Sequence, residues 1–181
     1  MKGSFNWKTG LLVAGLIATV ITIPFTIREV SRLTVHNFIV GTADGDSLDL
    51  EDYRGEVLLI VNVATGCGLT PQFAKLQKLH DTYSDRGFAV LGFPSNSFGQ
   101  EPRSNDEIIR FCSDLHLVDF PLFQKVTVKG DRIHPLFDYL TNGNHDTDYS
   151  GPTRNNFEKF LVDTRGKLIA RFAPTTEPDD P

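Results

Sequence analysis

The chain has two cysteines, Cys67 and Cys112, and a thiol does chemistry mainly as the thiolate. Cys67 lies in Ala64-Thr65-Gly66-Cys67-Gly68-Leu69-Thr70-Pro71, where a strand end, a Gly-containing turn and a helix start meet. That placement puts the sulfur near a helix N-terminus, where unpaired backbone N–H groups and the positive dipole end favour a thiolate. Flanking glycines admit close approach of a substrate, and the C-terminal edge of a parallel strand is where α/β folds carry chemistry. The same residues also suit a small buried hydrophobe, so both readings of Cys67 stand at this point. Cys112 falls on an apolar helix face with Ile108, Phe111 and Leu115, and reads as core or as a second redox thiol. No Cys-x-x-Cys and no paired-cysteine zinc spacing occurs. His80, His116, His134 and His145 show no ligand spacing and read as surface or satisfied histidines.

The elements that must position these thiols follow from periodicity. Phe38 to Val40 and Ser47 to Leu50 flank the turn residues Ala43 to Asp46, an opening hairpin. Val57 to Val63 is a nearly continuous β-branched run, the mark of a strand buried on both faces and hence central. Phe73, Leu76, Leu79 and Tyr83 line one face of a helix over Pro71 to Tyr83, with Thr70 as N-cap and Pro71 in the first position. Asp85-Arg86-Gly87 ends it and leads to a second buried strand, Phe88 to Phe93. Strand, helix, strand in this order predicts a right-handed parallel crossover. A Gly/Pro/Ser/Asn-rich loop from Pro94 to Ser104 precedes a helix starting near Asn105, and another helix spans about His134 to Leu140. A polar loop over 141–153 is followed by Phe157 to Val162 and Leu168 to Phe172, a hairpin turning at Asp163 to Gly166. Together these predict an α/β fold with a mixed central sheet flanked by helices.

Length and composition fit one globular domain with some extra sequence: 181 residues, 40% hydrophobic and 23% charged. A net charge of -5 and a pI near 5.5, without a Lys/Arg stripe, argue against a nucleic-acid partner. From Thr9 to Ile27 no charge interrupts a run rich in Leu, Val, Ile and Ala. A helix of roughly 20 apolar residues spans a hydrocarbon core of about 30 Å. Residues 9–27 are therefore expected to form an N-terminal hydrophobic helix that anchors the chain in a membrane, after a flank over 1–8 and before a linker over 28–35. A cleaved signal peptide leading to a secreted or lumenal protein is the rival reading. The folded domain is expected over 36–181.

At this point the sequence resembles a family. Ile60 to Thr70, Leu91 to Pro102, Asn156 to Asp163 and Arg171 to Thr176 are similar, in order, to four signature segments of the glutathione peroxidases. The resemblance runs from about His36 to Pro178 and implies a thioredoxin-like fold. It also implies a cycle in which a hydroperoxide, hydrogen peroxide or a lipid hydroperoxide, oxidises Cys67 to a sulfenic acid that a second thiol then restores. In relatives that lack selenium and use thioredoxin-like reductants, the resolving cysteine belongs to a Phe-Cys pair on the helix after the second signature. Phe111-Cys112 falls there, which implies a Cys67–Cys112 disulfide reduced by a thioredoxin-like protein or glutathione. No bound cofactor is implied, since the thiol reductant is a co-substrate. The insertion by which tetrameric relatives associate is missing around Lys125 to Gly130, which implies a monomer.

The family surrounds its reactive atom with a Gln, a Trp and an Asn. In this chain Asn156 matches, whereas Ser97 stands at the Gln position and Asn155 at the Trp position. The sole tryptophan is Trp7. Gln100 is close enough in sequence to lean in. Ser97 and Asn155 can still donate hydrogen bonds, but each lost donor costs about 10²- to 10³-fold in comparable sites. A second reading follows: a peroxidase-like protein that senses peroxide or binds partners with little turnover. Past Thr176 the sequence reads Glu177-Pro178-Asp179-Asp180-Pro181, where relatives continue into a closing helix, so one sheet face is expected to be less covered.

Overall fold

The structure is a computed structural model that describes residues 33–116, 118–142 and 149–179. The stretch 9–27, expected as a membrane anchor, lies outside the described residues. Among those described, no helix is long and apolar enough to cross a membrane. The expected N-terminal hydrophobic helix therefore has no support in the fold.

The chain enters the fold through a 3₁₀ turn at Val35–Asn37, where Val35 is fully buried and its N–H donates to Gly166 O at 2.9 Å. Strands β1 (Ile39–Gly41) and β2 (Ser47–Asp49) form the expected antiparallel hairpin. The main sheet contains β3 (Val57–Val63), β4 (Phe88–Pro94), β5 (Lys159–Val162) and β6 (Leu168–Phe172) in the order β4-β3-β5-β6. Strand β3 pairs in parallel with β4 and antiparallel with β5, and β5 pairs antiparallel with β6. The mixed sheet with an internal β3 is the one its β-branched run predicts.

Three helices complete the described architecture: α1 (Gln72–Tyr83), α2 (Asn105–His116) and α3 (Pro135–Asn142). Alternation along β3 splits the core in two. Leu58 and Ile60 pack with Leu91, Phe93, Leu136, Phe137 and Leu140, so α3 covers one face of the sheet. Leu59, Val61 and Val63 pack with Phe73 and Leu76 of α1 and with Ile108 and Cys112 of α2, so α1 and α2 cover the other. Leu115 was expected on the apolar face of α2 but is 68% exposed. The buried stripe of that helix ends at Cys112, the last α2 residue in the core cluster.

The outer edge of β4 is occupied by the segment around Phe120 to Phe123. Gly92 N–H donates to Pro121 O and Phe123 N–H donates to Gly92 O, both at 2.9 Å. A Cβ at position 92 would lie 2.7 Å from Leu122 Cδ2 and 2.9 Å from Phe120 Cε2, so a larger residue there would force those side chains to shift. On the α1 face, residues past Phe172 fold back over the sheet. Gln72 Nε2 and Lys159 Nζ donate to Pro174 O at 2.9 and 3.1 Å, Lys159 Nζ reaches Thr176 O at 2.6 Å, and Lys75 pairs with Glu177 and Asp179. Coverage remains partial, with a cavity of about 190 Å³ lined by Leu59, Leu79, Phe88, Leu161, Phe172 and Pro178 among others.

His36 is 2% exposed and neither ring nitrogen has a hydrogen-bond partner. Burial, and after it the Arg54 charge, holds its pKa below 6.5, and burial alone lowers that of His134. With these pKa values lowered in the fold, the unfolded chain binds more protons below pH 6.5, so stability falls with pH in that range. The urea unfolding midpoint is expected to drop as pH falls below 6.5, with a shallower drop in His36→Leu.

Candidate active site

Strand β3 delivers the chain at Ala64 into a series of tight turns. Thr70 N–H donates to Cys67 O at 3.1 Å, Gln72 N–H to Leu69 O at 2.9 Å and Phe73 N–H to Thr70 O at 3.0 Å. The first α-helical residue is therefore Gln72, with Pro71 in the N-cap position at φ -56°. Thr70 is not the N-cap. Its hydroxyl donates back to Cys67 O and closes the turn onto itself, because a chain already winding into the helix has no extended residue to act as a cap. The Cys67 sulfur sits inside this winding and accepts from Leu69 N–H at 3.5 Å. Cys67 is 8% exposed and unpaired.

Gly66 brings the second loop to the cysteine turn. Its N–H donates to Gln100 O at 3.0 Å, and a Cβ there would meet that oxygen at 2.8 Å, so glycine is required. The Gln100 side chain is turned to the third segment, its Oε1 accepting from Asn156 Nδ2 at 2.8 Å. Asn156 is fully buried and its Oδ1 has no protein partner. Thus Cys67, Gln100 and Asn156 lie on three segments that directly bond one another.

Ser97 and Asn155 are placed differently. Ser97 Oγ accepts from Val128 N–H at 3.0 Å and from Ser95 Oγ at 3.1 Å. It lines an open recess of about 480 Å³ with Asn96, Lys125, Thr127 and Lys129. Asn155 is exposed; its Oδ1 accepts from Asn156 N–H at 2.8 Å and its carbonyl from Asn62 Nδ2 at 3.1 Å. Gln100, three residues past Ser97, is the side chain the fold carries to Asn156. The shared bond from Gly66 is the reason, since it sets the loop's register more firmly than sequence spacing does.

Two buried carboxyl groups fix these loops. Glu101 is fully buried and accepts from Thr65 N–H at 2.6 Å and from Thr65 Oγ1 at 2.7 Å. Glu158, also fully buried, pairs with Arg154 at 2.6 Å and with Arg171 at 2.8 Å. Arg171 also donates to the carbonyls of Tyr149, Gly151 and Pro152, so one guanidinium gathers the loop leading to Asn156. Phe157 then takes φ +65°, uncommon for a bulky residue. Its N–H bond to Asn62 O at 2.6 Å and an edge-on contact with Phe73, centroids 5.3 Å apart, hold that conformation.

Cys112 is fully buried in α2, unpaired, and in the same core cluster as Cys67. Burial first, then the nearby Glu101 charge, pushes its thiol up to about 12, with Arg103 opposing. Of the histidines, His80 Nδ1 accepts from Val90 N–H and His134 Nδ1 from Leu136 N–H, each at 3.3 Å, which are structural roles. Among the described residues no cluster of three or more His, Cys, Asp or Glu could hold a metal ion.

The mixed sheet flanked by helices is a thioredoxin-like fold. A structure of a thioredoxin-family thiol:disulfide interchange protein from Chlorobium tepidum shares the fold at a TM-score of 0.59 with 17% identity, over 79% of this chain and 86% of that one. More specifically, the chain belongs to the glutathione peroxidase family, whose family model matches residues 35–141. The glutathione peroxidase homolog BsaA of Halalkalibacterium halodurans is 47% identical over 147 residues, covering 81% of this chain and 93% of its own. The hydroperoxy fatty acid reductase gpx1 of Synechocystis sp. is 45% identical over 153 residues, with 81% and 90% covered. The apo structure of Trgpx aligns at a TM-score of 0.65 and 34% identity over 81% of this chain and 89% of that one. These relatives match the folded region at nearly their full length. With no membrane-crossing helix among the described residues, the expected membrane localisation is withdrawn.

Removing a partner from a buried ion pair leaves an uncompensated charge, at a cost of about 3–5 kcal/mol. Glu158→Ala is therefore expected to lower unfolding stability by about that amount. It is also expected to raise hydrogen exchange at Asn156 and Phe157 more than along β3, measured by exchange with mass spectrometry.

Proposed function

We propose that this chain reduces hydroperoxides, hydrogen peroxide or lipid hydroperoxides, with Cys67 as the peroxidatic thiol. The observation that carries the reading is the Cys67 sulfur in a turn whose Leu69 N–H points at it, bonded through Gly66 to the Gln100–Asn156 pair. The Cys67 thiolate attacks the distal peroxide oxygen. The O–O bond breaks, the sulfur becomes a sulfenic acid, and the departing alkoxide takes a proton to leave as alcohol or, from hydrogen peroxide, as water. Gln100 and Asn156 are the side chains placed to orient peroxide and support the developing charge, in place of Ser97 and Asn155.

Cys112 is the resolving thiol of this reading. Its thiolate attacks the Cys67 sulfur, an S–S bond forms, the S–O bond breaks and hydroxide leaves as water. A dithiol protein of the thioredoxin type, or two glutathione molecules, then supplies two electrons to reopen the disulfide. With its thiol at about 12, Cys112 is almost entirely protonated at neutral pH, and a disulfide needs Cα atoms within about 7 Å. In this reading α2 unwinds locally during resolution, which relieves the burial that raises the thiol.

Similarity to the hydroperoxy fatty acid reductase gpx1 favours lipid hydroperoxides among the substrates. The exposure of Asn155 and the diversion of Ser97 favour the second reading, a peroxide sensor with little turnover; the Gln100–Asn156 bond opposes it.

Thiol counting after stopped-flow mixing with peroxide separates the readings. Two thiols are expected to be lost per peroxide, none in Cys67→Ser beyond slow background, and one in Cys112→Ser. Persistence of both thiols under excess peroxide overturns the peroxidase reading. Gln100→Ala is expected to slow Cys67 oxidation by about 10²-fold or more, whereas Ser97→Ala stays within a few-fold of the parent. Equal effects of the two substitutions would return the orienting role to Ser97.

A further inference from the structure

Between the Cys67 turn and α2 runs a connected set of side chains that the proposed chemistry does not use. Thr65 lies two residues past β3 and two before Cys67, and its hydroxyl has both functions engaged. It donates to Glu101 Oε1 at 2.7 Å and accepts from Arg103 Nη1 at 2.7 Å. Glu101 also takes Thr65 N–H at 2.6 Å and Arg103 N–H at 3.4 Å, while its own N–H donates to Asn96 Oδ1 at 2.9 Å. The Arg103 guanidinium then lies over the Phe111 ring, Cζ 4.8 Å from the centroid, and Phe111 directly precedes Cys112. The Arg103 carbonyl accepts from Lys125 Nζ at 2.7 Å, and α2 begins just beyond, where Ser104 and Glu107 exchange bonds at 2.8 and 3.4 Å. One side chain thus touches both the residue that shapes the cysteine turn and the residue beside the second thiol.

We propose that Arg103 is a positioning residue that latches α2 to the Cys67 turn, so that Cys112 stays sequestered until that turn rearranges. A guanidinium suits the task. Its planar fork donates to Thr65 while its face stacks on Phe111, two engagements that a short side chain cannot make together. The latch rests on the peroxidase reading for its purpose but not for its detection. When the Cys67 turn moves, Thr65 withdraws the acceptor from Arg103. The stacking on Phe111 loses its anchor, and the N-terminal turns of α2 are freed to open toward Cys67. While the latch is closed, the same contacts keep the Cys112 thiol from outside electrophiles.

The test uses the full chain without peroxide, in a Cys67→Ser background so that one thiol reports. N-ethylmaleimide is expected to modify Cys112 about tenfold faster in Arg103→Ala, the scale of one lost charge-assisted hydrogen bond. Arg103→Lys, which keeps a charged donor within reach of Thr65, is expected to recover much of the protection. Leu136→Ala loosens the core on the opposite face and controls for general destabilisation. An unchanged alkylation rate in Arg103→Ala overturns the latch. So does equal exposure of Cys112 in Leu136→Ala at a matched unfolding midpoint. With Cys67 present, a single turnover of Arg103→Ala is expected to form the sulfenic acid at the parent rate and the disulfide faster. Absence of any sulfenic acid at Cys67 in the parent would defeat the peroxidase reading while leaving the alkylation result to judge the latch.

Discussion

A carboxyl group with no exposed surface has to be satisfied by donors inside the protein, because an isolated buried charge is too costly to keep. The loops of this site are arranged around two such groups. Glu101 draws in Thr65, and with it the end of β3 from which the cysteine turn departs. Glu158 draws in Arg154 and Arg171, and through the latter the carbonyls of the segment leading to Asn156. Neither touches the Cys67 sulfur. Each instead removes the freedom of a loop that would otherwise have no regular structure to hold it, which is how a thiol on a turn acquires defined neighbours.

Local chemistry completes what the carboxyl groups begin. Thr70 turns its hydroxyl onto the Cys67 carbonyl, and Gly66 lets the Gln100 carbonyl approach the backbone. The result is a sulfur facing a backbone N–H, in a core cluster that also holds Val63, Phe73 and Phe157. The second thiol is held in the same cluster but inside a regular helix, so the two cysteines differ less in location than in what must move before each can react.

Much of the frame was legible in the sequence. Val57 to Val63 and Phe88 to Phe93 are unbroken apolar runs because both faces of β3 and β4 are covered, and the helix after Cys67 shows its buried face through Phe73 and Leu76. The signature segments single out Cys67 and Asn156 in the sequence, and the fold places both on segments bonded to the Gln100 loop. Ser97 and Asn155 were assigned by position along a loop, and that position does not tell which side chain meets Asn156: in the fold it is Gln100, on the loop that Gly66 bonds. Leu115 misled because periodicity continues past the point at which the sheet stops covering α2. Glu101, Glu158 and Arg103 gave no sign of their roles, since a charged residue in a sequence reads as exposed until a partner far along the chain is known. The left-handed backbone at Phe157 was equally hidden, because only its bond to Asn62 and the packing of its ring hold it there.

Strand β4 lies at the end of the sheet, yet its outer backbone groups are already engaged by Pro121 and Phe123, and Gly92 is bare so that they can reach it. A strand whose free edge is closed from within the same molecule offers no template to another chain. The sheet can therefore carry an apolar run on β4 without inviting fibrillar growth along that side, and the segment between α2 and α3 serves as a selvedge that keeps the woven layer from being extended.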